Sequence, residues 1–269
     1  QEAAKQREIM ERLKVRLAKK SEELGRPLTY CSVCFGCQMN AKDSEKLEGI
    51  LETIGYVRTE SEEADFLIMN TCTVRENANL RVYGRLGQLK KLKKKNPEMI
   101  IALCGCMMQE SLVVEKIKQS YRHVDIIFGT HNVFKLAELI ENKLDSKGMV
   151  IDIWEGTTEI VEDLPSDRKY DFKCGVNIMF GCNNFCSYCI VPYVRGRERS
   201  RKPEDVINEA KMLAENGVKE LNVIAQDTTR YGEDLFGEPY LAKLLKELCK
   251  IDGFKWIRVL YCYPDRITD

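Results

Sequence analysis

The stretch GCNNFCSYC, residues 181–189, follows an apolar, strand-like segment and places three cysteines in one short loop. Cys182, Cys186 and Cys189 have the spacing C-x3-C-x2-C, which lets three thiolates hold three corners of a 4Fe–4S cluster. Zinc sites prefer paired C-x2-C units with a second pair or histidines downstream, and this loop has neither. The spacing therefore predicts an iron–sulfur site in a loop that follows a strand.

The fourth iron of a cluster in this loop would have no cysteine ligand. Because such clusters are usually held by four cysteines, an open iron indicates that another molecule binds there. S-adenosylmethionine (SAM) fits, since it chelates through its amino and carboxylate groups, and an electron from the cluster would split it to a 5′-deoxyadenosyl radical. We therefore predict that Cys182, Cys186 and Cys189 are both the metal ligands and the catalytic residues of a radical-SAM site.

Residues 170–269 show repeated strand–helix units around this loop. The predicted strands are 175–180, 220–225 and 256–260, and the predicted helices are 203–216 and 240–249. Repeated βα units indicate a barrel of the TIM type or an open relative of it. Because three strands cannot close a barrel, we expect a partial radical-SAM (β/α) barrel.

Residues 28–165 show an earlier pattern of alternating strands and helices. The predicted strands are 28–33, 65–69, 99–103, 124–128 and a weaker one at 149–153, and the predicted helices are 43–54, 75–95, 110–120 and 133–144. This alternation indicates an α/β domain with a doubly wound parallel sheet. Apolar positions at helical spacing predict a helical extension over residues 1–27. The polar, proline-containing segment 162–169 predicts a linker.

The composition is that of an ordinary folded chain. Of 269 residues, 44% are apolar and 31% are charged, which suits about two domains, and no apolar run approaches the length of a membrane span. The charged N-terminal segment does not resemble a secretory signal, so the 12 cysteines indicate metal chemistry in a reducing cytoplasm rather than a disulfide scaffold. Because the net charge is zero, any RNA contact must come from local basic patches.

Four motifs in a fixed order carry a family resemblance. They are FGCQMN at 35–40, NTCTVRE at 70–76, CGCMMQ at 104–109 and the segment from Asn177 to Arg201 around the cysteine loop. From about residue 28 onward the chain resembles the radical-SAM methylthiotransferases, and it is most similar to the MiaB type, which acts on tRNA. After about residue 217 it looks more like the RimO branch, which modifies an aspartate of a ribosomal protein, in the stretches IAQDTTRYG at 224–232 and YCYPD at 261–265.

A second set of cysteines, Cys37, Cys72 and Cys106, follows the carboxyl ends of three predicted strands. In open α/β sheets this edge is where ligands gather. The family resemblance implies that these cysteines hold an auxiliary 4Fe–4S cluster, which makes two clusters in all.

A ferredoxin-like alternative uses Cys31, Cys34 and Cys37, spaced C-x2-C-x2-C. It requires Cys31 and Cys34 to share a cluster, although strand residues three apart point to opposite faces. We expect the cysteines outside the two sets to be small buried hydrophobic residues: Cys31, Cys34, Cys104, Cys174, Cys249 and Cys262.

Three further residues are candidates for binding the cofactor. Tyr188, inside the loop, can stack on adenine or on a base, or can pack in the core, and the same holds for Tyr193. Arg195 begins a basic run (Arg195, Arg197, Arg199, Arg201 and Lys202) that suits phosphate contact or a solvated face. Gln226 follows the second barrel strand, at the end where such barrels place their sites.

The resemblance implies a specific reaction. One SAM would methylate a sulfur on the auxiliary cluster, and a second SAM would yield the radical that removes hydrogen from carbon 2 of an isopentenylated adenosine next to the tRNA anticodon. The methylthio group would then join that carbon. The implied partners are the tRNA anticodon stem-loop and an electron donor such as flavodoxin or ferredoxin, and a basic RNA-binding module is expected after residue 269. Two alternatives remain open: methylthiolation of a ribosomal-protein aspartate, and a non-catalytic two-cluster electron-transfer or iron-storage protein.

Overall fold

The computed structural model describes residues 2–73, 76–162, 164–264 and 267. Among residues used above, Val74, Arg75, Asp163 and Asp265 lie outside this description. The chain divides into two compact units, Gln1–Asp167 and Arg168–Asp269, and the division falls within the predicted linker segment. Of the helices in the described part of the chain, none is long and apolar enough to cross a membrane.

The first unit is built on a parallel sheet. Its strands are β1 (Thr29–Cys34), β2 (Val57–Arg58), β3 (Phe66–Thr71), β4 (Ile100–Gly105), β5 (Ile126–Phe128) and β6 (Val150–Asp152). Within the described residues they are arranged in the order β2-β1-β3-β4-β5-β6. Every residue of β3 and β4 is buried, which explains why these strands are continuous apolar runs in the sequence. The sequence did not predict β2, an exposed two-residue strand too short to show a pattern.

Helices cover both faces of this sheet. They are α1 (Glu2–Leu24), α2 (Gln38–Thr53), α3 (Glu76–Lys95), α4 (Ser111–Ser120) and α5 (Leu136–Asp145). Apolar residues of α1, α2 and α5 form one core with alternate strand residues, and those of α3 and α4 form another with the remaining strand residues. The predicted doubly wound α/β fold is therefore confirmed. The predicted N-terminal helix packs its apolar stripe, including Ile9 and Leu13, into the first of these cores.

The helix α2 begins five residues earlier than the sequence predicted, at Gln38 instead of Asp43. Cys37 precedes it with an extended backbone. Its first two turns contain Asn40, Lys42 and Asp43, which are buried although they are polar. A search for apolar periodicity misses such a turn, because its burial depends on polar partners elsewhere in the fold.

The second unit has a smaller parallel sheet. Its strands and helices are β7 (Lys173–Asn177), β8 (Met179–Phe180), α6 (Val191–Arg195), β9 (Arg199–Ser200), α7 (Pro203–Glu215), β10 (Glu220–Ile224), α8 (Glu233–Phe236), α9 (Leu241–Leu248) and β11 (Trp256–Val259). In the described residues of this unit, the sheet has the order β11-β10-β7 and all its pairs are parallel. Apolar residues of α7 and α9 pack in one core with those of β7 and β10. These βα units form the predicted partial barrel.

One predicted strand, 175–180, is wrong in its extent. The chain leaves the parallel sheet at Ile178, whose backbone N–H still bonds Ile224 O at 2.9 Å while its carbonyl accepts from Arg201 N at 2.8 Å. The next two residues form β8, which pairs antiparallel with β9. This change of strand partner directs the chain out of the parallel sheet and towards the cysteine loop that follows β8. A local apolar pattern cannot show it, because the new partner lies 20 residues further on.

Asp65 links the N-terminal segment to the sheet and provides a test of the fold. Arg26 binds its carboxylate with two hydrogen bonds of 2.7 and 2.8 Å, and Thr29 N donates at 2.8 Å. Burial works to raise the pKa of Asp65, but these donors outweigh it and lower the pKa. We expect Asp65→Asn to lower the free energy of unfolding at pH 7 by about 1–3 kcal/mol, because bonds to a charged acceptor are lost.

Urea denaturation at several pH values measures this effect. Because the folded pKa lies below the unfolded value of about 3.9, the contribution is complete above that pH and disappears as the pH falls through the folded pKa. The difference between wild type and variant should therefore shrink in acid, and a difference that does not depend on pH would contradict this account. Glu63→Gln is the control, because Glu63 pairs with Lys95 in an exposed ion pair, so its loss should change stability by about 0.5 kcal/mol or less.

Candidate iron–sulfur sites

The first cysteine set lies at the carboxyl edge of the six-stranded sheet. Cys37, Cys72 and Cys106 follow β1, β3 and β4, which are neighbours in the sheet. The strand order reverses between β1 and β3, because β2 lies on one side of β1 and β3 on the other. In doubly wound sheets, ligands bind at this switch point. Cys72 and Cys106 are buried, and Cys37 is half-buried.

Two of these sulfurs converge on one side chain. The Sγ atoms of Cys37 and Cys106 each lie 3.8 Å from Asn40 Oδ1. Cys72, which follows β3, lies directly against Gly36. A Cβ atom built on Gly36 would be only 2.9 Å from Cys72 Cβ. Gly36 also has a φ of +144°, in the region that favours glycine. The structure therefore brings the three cysteines around Asn40 and Gly36.

Buried amides hold the segments around this set together. Asn40 Nδ2 donates to Thr71 O at 2.9 Å and to Phe35 O at 3.1 Å. Asn70 Nδ2 donates to Asn40 O at 2.8 Å. Gly105, just before Cys106, has a φ of +96°, and a side chain there would collide with Thr71 and Asn70. The loop after β1 and the ends of β3 and β4 are thus in direct contact.

The donor atoms of this set are those that an iron–sulfur cluster uses. Cys37, Cys72 and Cys106 each offer one sulfur, and iron–sulfur clusters are held by cysteine thiolates, each bound to a different iron. Three such ligands fit three corners of a 4Fe–4S cluster.

The second set lies in the loop that follows β8. Gly181 has a φ of +77°, and a side chain there would collide with the backbone oxygens of Gly196 and Arg197. Cys182 N donates to Gly196 O at 3.1 Å, and Cys189 N donates to Cys186 O at 2.9 Å. Burial raises the pKa of the Cys182 thiol, although the Asn184 backbone N–H acts in the opposite direction. The loop is thus folded tightly against the segment after α6.

Two carboxylates anchor the asparagines between Cys182 and Cys186. Glu198, which is buried, accepts from Asn183 N at 2.9 Å and from Asn183 Nδ2 at 3.1 Å. Arg230 Nε donates to the same carboxylate at 3.1 Å. Asp227 accepts from Asn184 Nδ2 at 2.8 Å. The cysteine spacing does not point to Asn183, Asn184 or Glu198, although Glu198 is an acidic residue inside a basic run, which is a signal in the sequence.

The three candidate cofactor-binding residues have different environments. Arg195 is buried at the end of α6, directly before Gly196, which contacts the loop. Gln226 is half-buried and precedes Asp227, which binds Asn184. Tyr188 is 88% exposed. The structure therefore brings the backbone near Arg195 and Gln226 to the loop and leaves the Tyr188 ring at the surface.

The basic run is not one uniform surface. Arg201 is buried, and its guanidinium bonds Asn177 O at 2.8 Å and Glu209 at 2.6 Å, which is a structural role. Arg197 is exposed, and its guanidinium lies 4.5 Å from the centre of the Phe185 ring. Arg197 therefore keeps its guanidinium at the surface, beside an aromatic ring.

The expectation for the remaining cysteines is partly wrong. Cys31, Cys104 and Cys174 are buried, as predicted. Cys34, Cys249 and Cys262 are exposed. Cys34 ends β1, and Cys249 and Cys262 follow α9 and β11, where the chain leaves the core, so their apolar neighbours in the sequence did not indicate burial.

Two family models match this chain. Residues 29–129 match "Uncharacterized protein family UPF0004", and residues 176–268 match "Radical SAM superfamily". Among solved structures, the radical S-adenosylmethionine methyltransferase TsrM from Kitasatospora setae is similar, with a TM-score of 0.50, 12% identity and coverage of 81% of this chain and 50% of that chain. The cobalamin-dependent S-adenosylmethionine radical enzyme OxsB has a TM-score of 0.50 and 11% identity, with coverage of 83% and 37%. At such identities the likeness concerns the fold.

Three relatives have the name tRNA-2-methylthio-N(6)-dimethylallyladenosine synthase. The protein of Lachnoclostridium phytofermentans is 63% identical over 256 residues, covering 95% of this chain and 56% of the relative. That of Alkaliphilus oremlandii is 50% identical, with coverage of 98% and 55%. That of Acetivibrio thermocellus is 46% identical, with coverage of 100% and 56%. The chain thus spans about half the length of the curated relatives it matches.

The partial barrel, with its cysteine loop and its match to the radical-SAM model, defines a radical-SAM protein. With the UPF0004 region before it and relatives of this identity, the chain belongs to the radical-SAM methylthiotransferase family. The resemblance to the MiaB type is therefore confirmed. The likeness of residues after about 217 to the RimO branch stays an interpretation of the sequence.

Iron binding by cysteine variants tests the assignment of the first set. Cys31 packs in the core of α3 and α4, and Cys34 is exposed at the end of β1, whereas Cys37 meets Asn40. We expect Cys37→Ala to lose the iron of this set after anaerobic reconstitution, and Cys31→Ala and Cys34→Ala to keep it. Iron is measured per folded chain. Losses for Cys31→Ala and Cys34→Ala as large as for Cys37→Ala would favour the ferredoxin-like alternative.

Proposed function

We propose that the full-length protein is a radical-SAM methylthiotransferase that adds a methylthio group to carbon 2 of isopentenylated adenosine next to the tRNA anticodon. The observation that carries this proposal is the presence of two separate sets of three cysteines, one in each compact unit. The names of the relatives favour tRNA as the substrate. Residues 28–165 would hold the auxiliary cluster and residues 170–269 would form the radical-SAM domain, with residues 1–27 as a helical extension.

The protein's own residues would prepare two sites. Cys37, Cys72 and Cys106 would ligate one 4Fe–4S cluster, and Cys182, Cys186 and Cys189 the other. Glu198 and Asp227 would keep the second loop in shape through Asn183 and Asn184. With SAM bound, the second cluster would supply the electron that splits SAM to the radical, which removes the hydrogen from carbon 2, and the first would hold the sulfur that takes a methyl group from another SAM and joins carbon 2 as methylthio.

SAM would be bound beside the second loop. Arg195 and Gln226 would contact it, because both lie in segments that the loop touches through Gly196 and Asp227. Tyr188 would contribute from within the loop, between Cys186 and Cys189. A low-potential donor such as flavodoxin or ferredoxin would supply the electrons, in the cytoplasm, where tRNA is found.

An exposed aromatic surface supports an RNA substrate. The rings of Phe185 and Tyr193 meet edge to face, with centroids 5.8 Å apart and planes at 88°. Arg197 lies over Phe185, and Tyr193 is 71% exposed. Unpaired RNA bases stack on aromatic rings and on guanidinium planes. Such local contacts suit a chain whose net charge is zero.

The products of SAM cleavage test the reaction class. After reconstitution with about eight irons, four for each cluster, the reduced protein should convert SAM to 5′-deoxyadenosine and S-adenosylhomocysteine. Replacing Cys182, Cys186 and Cys189 by Ala should halve the iron and abolish 5′-deoxyadenosine. Replacing Cys37, Cys72 and Cys106 by Ala should also halve the iron but leave abortive SAM cleavage. Chromatography of the products measures both, and the absence of both products from wild type would support the electron-transfer alternative.

The substrate is tested in cells that lack the gene. Mass spectrometry of tRNA nucleosides should show no methylthio-isopentenyladenosine, and the full-length gene should restore it. The gene with Cys182, Cys186 and Cys189 replaced by Ala is the control and should restore nothing. If complementation instead methylthiolates a ribosomal protein and leaves tRNA unmodified, the RimO-type alternative is right.

A further inference from the structure

Asn40 is a polar side chain with no exposed surface, in the first turn of α2. Its oxygen lies 3.8 Å from the sulfurs of both Cys37 and Cys106, which belong to different strand ends. We infer that Asn40 is the positioning residue of the first cysteine set: it sets the separation of these two sulfurs and so makes the set competent to bind a cluster. This inference rests on the proposed function of that set.

The orientation of the Asn40 amide follows from its neighbours. Its nitrogen faces two carbonyl oxygens, Thr71 O and Phe35 O, to which it donates at 2.9 and 3.1 Å. Carbonyl oxygens accept hydrogen bonds and cannot donate, so the nitrogen must point to them and the oxygen to the thiols. An aspartate of the same shape would lose both donated bonds and add a negative charge beside the thiolates.

The backbone of Asn40 is held as firmly as its side chain. Asn70, which is buried near the end of β3, donates to Asn40 O at 2.8 Å and to Ser44 Oγ at 3.1 Å. These bonds keep the first turn of α2 against β3. Asn40 therefore joins three segments at once: the loop with Cys37, the strand that leads to Cys72, and the turn with Cys106.

This arrangement matters because the three cysteines are far apart in the sequence. No local turn sets their separation, in contrast to the loop with Cys182. A cluster requires its ligands at fixed positions, and groups that orient the ligands commonly change metal affinity about 10- to 100-fold when they are removed. Asn40 contacts two of the ligands and is bonded to the segment of the third.

Asn132 offers a matched control in the same unit. It is also fully buried, and it follows β5 at the same edge of the sheet. Its side chain accepts from Gly129 N at 3.1 Å and donates to Asp152 O at 2.6 Å. Asn132 thus ties strand ends together as Asn40 does, but its bonds go to backbone groups instead of cysteines.

The experiment uses the full-length protein with Cys182, Cys186 and Cys189 replaced by Ala, so that only the first set can bind iron. Into this background we place Asn40→Ala, Asn40→Asp, Asn132→Ala, or Ala at Cys37, Cys72 and Cys106. Each protein is reconstituted without oxygen and titrated with an iron chelator. Iron content, visible absorbance and the EPR spectrum of the reduced cluster are recorded, together with the Tm of the apoprotein.

We expect the parent to bind about four irons, and Asn132→Ala to keep them despite a lower Tm. Both Asn40 variants should release iron at chelator concentrations about 10-fold lower or more, with a changed EPR spectrum. Asn40→Asp keeps the shape of the side chain, so it provides the comparison if Asn40→Ala does not fold. The inference is overturned if the Asn40 variants keep iron like the parent, or if Asn132→Ala loses iron to the same extent.

The cysteine variant separates this inference from the proposed function. If replacement of Cys37, Cys72 and Cys106 leaves the iron unchanged, the proposed auxiliary cluster is wrong and the inference fails with it. If that replacement removes the iron while both Asn40 variants keep it, the cluster stands and only the role of Asn40 is rejected.

Discussion

The hydrogen bond from Asn70 to the backbone oxygen of Asn40 is the interaction on which the first site depends. It joins α2 to the end of β3, at the point where the strand order of the sheet reverses. When a side-chain amide is buried, a hydrogen bond to a backbone carbonyl replaces the bonds that it made to water. An amide buried without a partner would lower the stability of the fold by about 1–3 kcal/mol. The polar first turn of α2 can therefore be buried. Its burial in turn brings Cys37 to the same place as Cys106.

The two cysteine sets are assembled by different physical means. In the second unit, eight consecutive residues hold all three cysteines, and Glu198 and Asp227 bind the asparagines between them. In the first unit, the ligands come from three strand ends, and the close approach of neighbouring segments at Gly36 and Gly105 replaces short spacing. Both sets lie close to the carboxyl ends of parallel strands, where a twisted sheet leaves room for ligands.

Much of the architecture was predictable because it repeats local patterns. The strands β3 and β4 are buried on both faces, so their apolar runs were clear. The start of α2 and the turn at Ile178 were not predicted, because both depend on partners elsewhere in the chain. Cys34, Cys249 and Cys262 were misjudged because apolar neighbours in the sequence do not report whether a residue lies at the end of an element.

The sequence by itself determined the alternation of strands and helices, the cysteine loop at 182–189 and the family resemblance, since each is a matter of spacing along the chain. It also placed Cys37, Cys72 and Cys106 at strand ends. Only the tertiary structure decided that two of these sulfurs meet at Asn40, and that Glu198 rather than a basic residue anchors the second loop. The reason is physical: these contacts join segments whose proximity depends on strand order and buried hydrogen bonds, which local spacing does not encode.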